Sequence, residues 1–146
     1  NYTPDSAECV RATRTEAITM YSFGEDRVQV SLSVSDSSCR IGYVVVAQKT
    51  DAVYEAGLML PLKPDEEILL DDTSTTIAPL RLIRHGFRKG TLSWRGRPFE
   101  VPERAMLDYP IVPHNPYTQH GLPAEKDYVG RLSFTIGDTE KHVTIA

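Results

Sequence analysis

Apolar and polar residues alternate strictly in one segment near the N-terminal third of the chain. The segment reads Val28-Gln29-Val30-Ser31-Leu32-Ser33-Val34. Successive side chains of a β-strand point to opposite faces of the sheet, whereas a helix repeats every 3.6 residues. The alternation therefore predicts a strand with one buried and one exposed face, and it favours a chain built from sheets.

Further strand signals recur at short intervals. Ile41 to Gln48 is rich in β-branched and aromatic residues and is apolar on both faces, which is typical of a central strand. Ala17 to Phe23 leads through the turn Gly24-Glu25-Asp26 into the alternating segment. Shorter candidates are Tyr54 to Leu60, Glu67 to Leu70, Leu80 to Arg84, Thr91 to Arg95 and Pro98 to Val101. Val129 to Ile136, the turn signal Gly137-Asp138 and Lys141 to Ile145 predict a terminal hairpin.

These signals predict an all-β fold over residues 1–146, as one domain. We expect an antiparallel β-sandwich or barrel of about 8–10 short strands, because short strands at this spacing are typical of those folds. Helix is limited to single turns, at Pro64 to Glu67 and Pro102 to Met106. The longest apolar run, Val44 to Ala47, is too short to span a bilayer, so no transmembrane segment is predicted.

A proline-rich segment, Asp108 to Pro123, interrupts the strand pattern. It contains four prolines in sixteen residues, which disfavours a helix and a central strand. Loops of this length within compact domains are uncommon and often functional. The segment is interpreted either as a stiff loop covering one end of the fold or as a docking element for a neighbouring subunit.

The two cysteines, Cys9 and Cys39, both lie in polar surroundings. Buried structural thiols usually have apolar neighbours, so we interpret the pair as a disulfide closing a loop of about thirty residues. A disulfide would place the protein in an oxidising compartment, secreted or periplasmic. Two unrelated free thiols are the alternative.

The most unusual surface element is a basic window, Arg81 to Arg97. It holds six of the sixteen Lys and Arg residues and no Asp or Glu, and it includes Phe87 and the only tryptophan. If Leu80 to Arg84 pairs with Thr91 to Arg95, a basic hairpin forms with two cations at its tip. Its candidate binding residues are Arg81, Arg84, Arg88, Lys89, Trp94, Arg95 and Arg97. Such a face would attract an anionic glycan, a lipid head group or an acidic protein surface.

A structural alternative exists for the same cations. An acidic stretch, Asp65 to Asp72, lies just upstream and could pair with the basic window. A nucleic-acid partner is disfavoured because the whole chain has a formal net charge of −4.

No catalytic or cofactor motif is present, so no cofactor is predicted and the sequence favours a protein that is not an enzyme. The chain lacks the nucleophile-elbow, zinc-protease, dinucleotide and phosphate-loop patterns. His114 and His120 are candidate metal ligands, although their spacing is not that of a standard zinc site.

Tyr43 to Gly86 resembles the middle of the invasion-associated locus B family of secreted bacterial proteins. The similarity lies in the order of Pro61-Leu62, Pro64 and Ile68-Leu69-Leu70-Asp71, and in the late strand Gly130 to Ile136. The paired cysteines that follow this element in the family are absent, and Arg84 to Gly90 stands in their place. The resemblance implies a secreted or periplasmic β-protein linked to host-cell association, with no catalytic residues to carry over.

The sequence thus predicts a secreted or periplasmic binding protein that engages an anionic or protein partner through the basic hairpin. One alternative is a structural subunit that docks through the proline-rich segment or the terminal hairpin. The other is a small metal-handling protein or enzyme that uses His114 and His120.

Overall fold

The computed structural model describes residues 3–78, 81–111 and 129–146, and this part of the chain is all-β with no helix. This confirms the predicted fold class, with thirteen strands rather than about ten. The strands are β1 (Ser6–Ala12), β2 (Glu16–Phe23), β3 (Asp26–Val34), β4 (Cys39–Ala47), β5 (Tyr54–Leu60), β6 (Glu67–Leu70), β7 (Thr73–Thr76), β8 (Ile83–Gly86), β9 (Thr91–Trp94), β10 (Arg97–Glu100), β11 (Met106–Ile111), β12 (Val129–Ile136) and β13 (Lys141–Ile145).

The strands form two antiparallel sheets of unequal size. The large sheet has nine strands in the order β1-β2-β3-β4-β13-β10-β9-β6-β7, and the small sheet has four in the order β5-β12-β11-β8. The alternating segment is β3, and its predicted hairpin with β2 is confirmed, with Phe23 opposite Asp26. The predicted central strand is β4, which lies between β3 and β13.

One hydrophobic core takes side chains from both sheets. The inward residues of β12, Leu132, Phe134 and Ile136, are at most 6% exposed and Gly130 is also buried, whereas its other residues lie at the surface or half-buried. Tyr43 of the large sheet meets Phe134 of the small sheet edge to face, with 5.4 Å between ring centroids. The side chains that alternate toward one face of β12 are therefore the ones that pack against the large sheet.

The chain passes between the two sheets six times in the described residues, which overturns the predicted terminal hairpin. β12 pairs with β11 and β5 in the small sheet, whereas β13 pairs with β4 and β10 in the large one. The segment from Gly137 to Glu140 is thus a sheet-to-sheet corner. A Gly-Asp turn signal marks a change of direction and does not determine which strand pairs with which.

The first residues of the proline-rich segment form a central strand, contrary to expectation. Asp108 to Ile111 belong to β11, which lies between β8 and β12. Pro110 is tolerated because the register of β11 against β12 shifts between Asp108 and Ile111, so the proline falls at an irregularity of the ladder. The remainder of the segment, with His114 and His120, lies outside the described residues.

The predicted disulfide is wrong, because Cys9 and Cys39 are both free. Cys9 is in β1 and Cys39 begins β4, three strands away in the same sheet. Three strand spacings amount to about 14 Å, whereas disulfide Cα atoms lie within about 7 Å. The expectation of a secreted or periplasmic location loses this support and stays a prediction. No helix in the described ranges is long and apolar enough to cross a membrane.

Replacing Leu132 with Ala should lower the free energy of unfolding by about 2–5 kcal/mol, because Leu132 is fully buried and its loss leaves a cavity. Leu82 is 82% exposed, and Leu82→Ala should change the same quantity by less than about 0.5 kcal/mol. Urea denaturation followed by tryptophan fluorescence measures both. Equal losses in the two variants would contradict the assignment of the core.

Candidate functional site

The basic window is divided between the two sheets, so the predicted basic hairpin is wrong. β8 pairs with β11 in the small sheet, and β9 pairs with β6 and β10 in the large sheet. The hairpin that exists joins β9 to β10 through Arg95 and Gly96, both with positive φ, 53° and 75°. Arg88 and Lys89 lie before β9 and Arg95 lies after it, about 13 Å apart for four strand residues. Alternation suggested the strands correctly but could not determine their partners.

The crossover from β8 to β9 is held by a half-buried carboxylate, Asp71. Its Oδ2 accepts the N–H of Arg88 at 2.8 Å, and its Oδ1 accepts the N–H of Lys89 at 3.0 Å and that of Thr91 at 3.3 Å. His85 Nε2 lies 2.9 Å from Oδ2. Burial opposes ionisation, but these hydrogen bonds outweigh it and lower the pKa of Asp71 from 3.8 to about 2.

Asp71 occupies this position because of the tight turn between β6 and β7. Asp71 and Asp72 both have positive φ, 50° and 70°, a conformation that Asp and Asn tolerate better than most residues. The Asp71 side chain is 9% exposed and that of Asp72 is 75% exposed. The sequence analysis treated Asp71 and Asp72 only as members of the acidic stretch and missed the role of Asp71 in holding a second segment.

Other cations of the window also pair with carboxylates of the chain. Lys89 Nζ lies 3.0 Å from Asp72, and Arg95 pairs with Glu66. Burial raises the pKa of Glu66, but the hydrogen bonds from Arg95, from the N–H of Lys63 and from Trp94, together with the charge of Arg95, outweigh it and the pKa is lowered. Arg84 lies 3.1 Å from Asp108 of β11. Asp72 and Glu66 belong to the acidic stretch, so the structure arranges much of the window as the structural alternative describes.

The aromatic residues of the window face inward. Phe87 is 6% exposed, and Trp94 packs against the core opposite Ile68. The Arg95 guanidinium carbon lies 4.3 Å from the centroid of the Trp94 ring, a cation–π contact within the chain. Neither ring is positioned on an open surface for stacking on a base or a sugar.

Three window cations, Arg81, Arg88 and Arg97, make no ion pair within the described ranges. They lie before β8, before β9 and at the start of β10, respectively. Arg97 donates a 3.5 Å hydrogen bond to the carbonyl of Ala146. These three residues therefore lie in or next to three different strands, one in the small sheet and two in the large sheet. No group of three or more potential metal ligands occurs among the described residues.

A different feature is the open groove, the space between strand β5 of the small sheet and the inner face of β2 and β3. β5 lies above β3 and β4: the hydroxyl of Tyr43 donates to the Gly57 carbonyl at 3.4 Å, and Tyr54 reaches Asp26. β1 and β2 thus extend beyond the small sheet. Every residue of β1 is exposed and every residue of β2 is half-buried, as expected for strands without a facing sheet.

The lining of the open groove is almost entirely apolar. The cavity has a volume of about 270 Å³, and Glu55 is its one charged residue. The other lining residues, from both sheets and from the segment before β1, are Pro4, Tyr21, Phe23, Val28, Val30, Tyr43, Tyr54, Ala56, Gly57 and Ile136.

One end of the open groove is closed by two rings that a buried carboxylate positions. Phe23 and Tyr54 lie with ring centroids 5.3 Å apart. The Tyr54 hydroxyl donates to Oδ2 of Asp26 at 2.7 Å, and Asp26 is fully buried. The hydroxyl of Thr50 donates to the same oxygen, while the N–H groups of Lys49 and Thr50 donate to Oδ1 at 2.6 and 3.0 Å.

These bonds make Asp26 the anchor of the crossover from β4 to β5. The Thr50 hydroxyl and the Lys49 N–H contribute most to lowering the pKa of Asp26 from 3.8 to about 2, against the opposing effect of burial. Asp26 thereby sets the position of Tyr54 and, with it, the closed end of the open groove.

No protein-family model, curated protein or solved structure matches this chain. The resemblance to the invasion-associated locus B family therefore stays a prediction. The candidate site must be judged from its own geometry.

Sequence reasoning missed the open groove. Tyr21 and Phe23 lie two residues apart in a predicted strand, so they share a face. That spacing was a usable signal for an aromatic surface. Nothing in the spacing, however, reveals that the facing sheet stops at β5.

Replacing Asp71 with Asn should lower the free energy of unfolding by about 2 kcal/mol, because the N–H groups of Arg88 and Lys89 lose a charged acceptor. Asn suits the same backbone conformation, so the change tests the carboxylate alone. Asp72→Asn is the matched control, and because Asp72 is exposed its effect should stay below about 0.5 kcal/mol. Chemical denaturation at pH 7 measures both, and a loss confined to Asp72→Asn would refute the anchoring role.

The protein should lose stability as the pH falls from about 4 to about 2. The pKa values of Asp26 and Asp71 are about 2 in the folded state and 3.8 in the reference state, so the unfolded chain binds protons first. The stabilisation is complete above the unfolded pKa and disappears as the pH falls through the folded pKa. Urea midpoints between pH 5 and pH 2 measure this, and Asp71→Asn should flatten the dependence. An unchanged slope in that variant would argue against Asp71 as a source.

Proposed function

We propose that this protein is a non-catalytic binding protein whose partner is another protein, held in the open groove. The single observation that carries the proposal is that, among the described residues, the small sheet ends at β5 while the apolar inner face of the large sheet continues under β2. Exposed apolar surface that is recessed and continuous is typical of interaction sites.

The chemistry of the open groove favours a polypeptide over an anionic ligand. Its one charged lining residue, Glu55, is an acid, so phosphate, sulfate or an acidic glycan would find no cation there. A volume of about 270 Å³ suits a few inserted apolar side chains better than a whole cofactor. The groove is also compatible with the role of a subunit in a larger assembly.

The basic window supports an anionic partner less well than the sequence predicts. Lys89 and Arg95 are engaged with Asp72 and Glu66, and binding an external anion would have to compete with these ion pairs. A secreted or periplasmic location remains part of the proposal and rests on the family resemblance.

Selection of peptides from a displayed random library against the native protein tests the proposal. Thr19 pairs with Val30 and shares a face of β2 with Tyr21, beside the lining of the open groove, and Thr19→Arg should reduce capture of the selected peptides by at least tenfold, about 1.4 kcal/mol, because it places a charge at the margin of an apolar site. Gln29→Arg is the matched control: Gln29 is similarly half-buried but lies on the opposite face of the neighbouring strand, and it should leave capture unchanged.

Two results would contradict this function. One is selection of peptides whose capture is indifferent to Thr19→Arg but abolished by reversing Arg88 to Glu. The other is a native protein that enriches no peptide while it binds heparin. Both would favour the anionic partner.

A further inference from the structure

Beyond Tyr54, the stretch of β5 from Glu55 to Leu60 has a paired strand on one side only in the described part of the chain. β5 pairs along its whole length with β12, from Tyr54 opposite Ile136 to Leu60 opposite Gly130. On its other side no described strand is present. In an antiparallel pair only alternate residues exchange hydrogen bonds with the neighbour, so the remaining N–H and C=O groups of β5 point away from β12.

The position beside this edge is a ready strand site. A strand added to β5 would lie about 4.8 Å from it and about 10 Å above the large sheet, which places it over β2. The face of β2 beneath that position carries Thr19, Tyr21 and Phe23, as the pairing of Thr19 with Val30 and Tyr21 with Val28 shows. Backbone groups on one side and apolar side chains below are the two components that strand addition uses.

We propose that β5 accepts an extended strand from the protein partner, which completes the small sheet over the open groove. This inference rests on the proposed function and specifies its mode of binding. Every second residue of the incoming strand is apolar and packs on Tyr21 and Val30. A basic residue on the opposite face pairs with Glu55, because opposite charges on neighbouring strands attract.

What kind of partner fits depends on the overhang of the large sheet, which is the part formed by β1 and β2. Strands β1 and β2 extend beneath the vacant strand position. Another complete sandwich that approached β5 edge to edge would bring its own large sheet into the space that this overhang occupies. A lone extended segment has no second layer and avoids this collision. The geometry therefore selects a linear segment of the partner over a second copy of this chain.

The probes are three nine-residue peptides that alternate Thr with Val, Leu or Phe, each with one outward Lys in place of a Thr. The control peptides have the same side chains but carry N-methyl groups on alternate residues, which removes the donors that face β5. At least one parent peptide should bind. At ten times its Kd it should slow amide exchange of alternate residues within Glu55 to Leu60 by about tenfold, because only the unliganded protein exposes them. Its N-methylated form should not bind.

Glu55 supplies a second readout. Glu55→Gln should weaken binding of the Lys-containing peptide about threefold, whereas binding of a peptide with Thr in place of Lys should not change. This comparison leaves the backbone ladder intact and so separates the charge contact from strand addition itself.

Failure of strand addition is distinguishable from failure of the proposed function. If the N-methylated peptides bind as well as the parents and Thr19→Arg weakens both, the open groove binds protein but not as a sheet edge. If none of the three parents binds while library peptides bind in a Thr19-dependent way, strand addition is likewise overturned. If the alternate β5 amides are already protected without peptide, the edge is occupied by this chain or, where protection depends on protein concentration, by a second copy.

Discussion

Two carboxylates, the buried Asp26 and the half-buried Asp71, hold two of the loops by which the chain passes between its sheets. Asp26 accepts the N–H groups of Lys49 and Thr50 where β4 gives way to β5, and Asp71 accepts those of Arg88 and Lys89 where β8 gives way to β9. Main-chain N–H groups in such loops have no ladder to join, and a buried donor without an acceptor is costly. The carboxylates satisfy these donors and fix the sheets relative to each other at two points.

The position of the open groove follows from the first of these anchors. Asp26 fixes the β4–β5 crossover, and its bond to Tyr54 determines where the first strand of the small sheet begins. That strand lies above β3 and β4, so in the part of the chain that the structure describes no strand of the small sheet faces β1 and β2. The candidate site is therefore a consequence of how two sheets of nine and four strands are aligned.

The sequence predicted strands best where buried and exposed side chains alternate along one strand. Alternation identified β3, and the boundaries of β6, β12 and β13 match their predicted ranges. Alternation did not predict β7, because Thr73 to Thr76 are small polar residues that resemble a turn. It did not predict β11 as a central strand, because prolines occur in that segment.

Pairing partners could not be predicted, because periodicity reports which way a side chain points and not which strand lies beside it. For the same reason the sequence predicted a hairpin at Arg88 and Lys89, whereas these residues lie in a connection between the two sheets. The same limit applies to predicting which charges are available for binding. Lys89 and Arg95 lie near Asp72 and Glu66 in sequence, but only the fold shows that they form ion pairs with them.

The location of β13 has a consequence for how the molecule is assembled. β13 lies between β4 and β10, and it is the strand that joins β1–β4 to the group β10-β9-β6-β7. During synthesis the two halves of the large sheet cannot be joined by β13 until the chain has been made through Ile145. Contacts between residues so far apart in sequence form slowly. In that interval the edges of β4 and β10 are exposed together, so the nascent chain is vulnerable to strand exchange with its neighbours before it gains its finished shape.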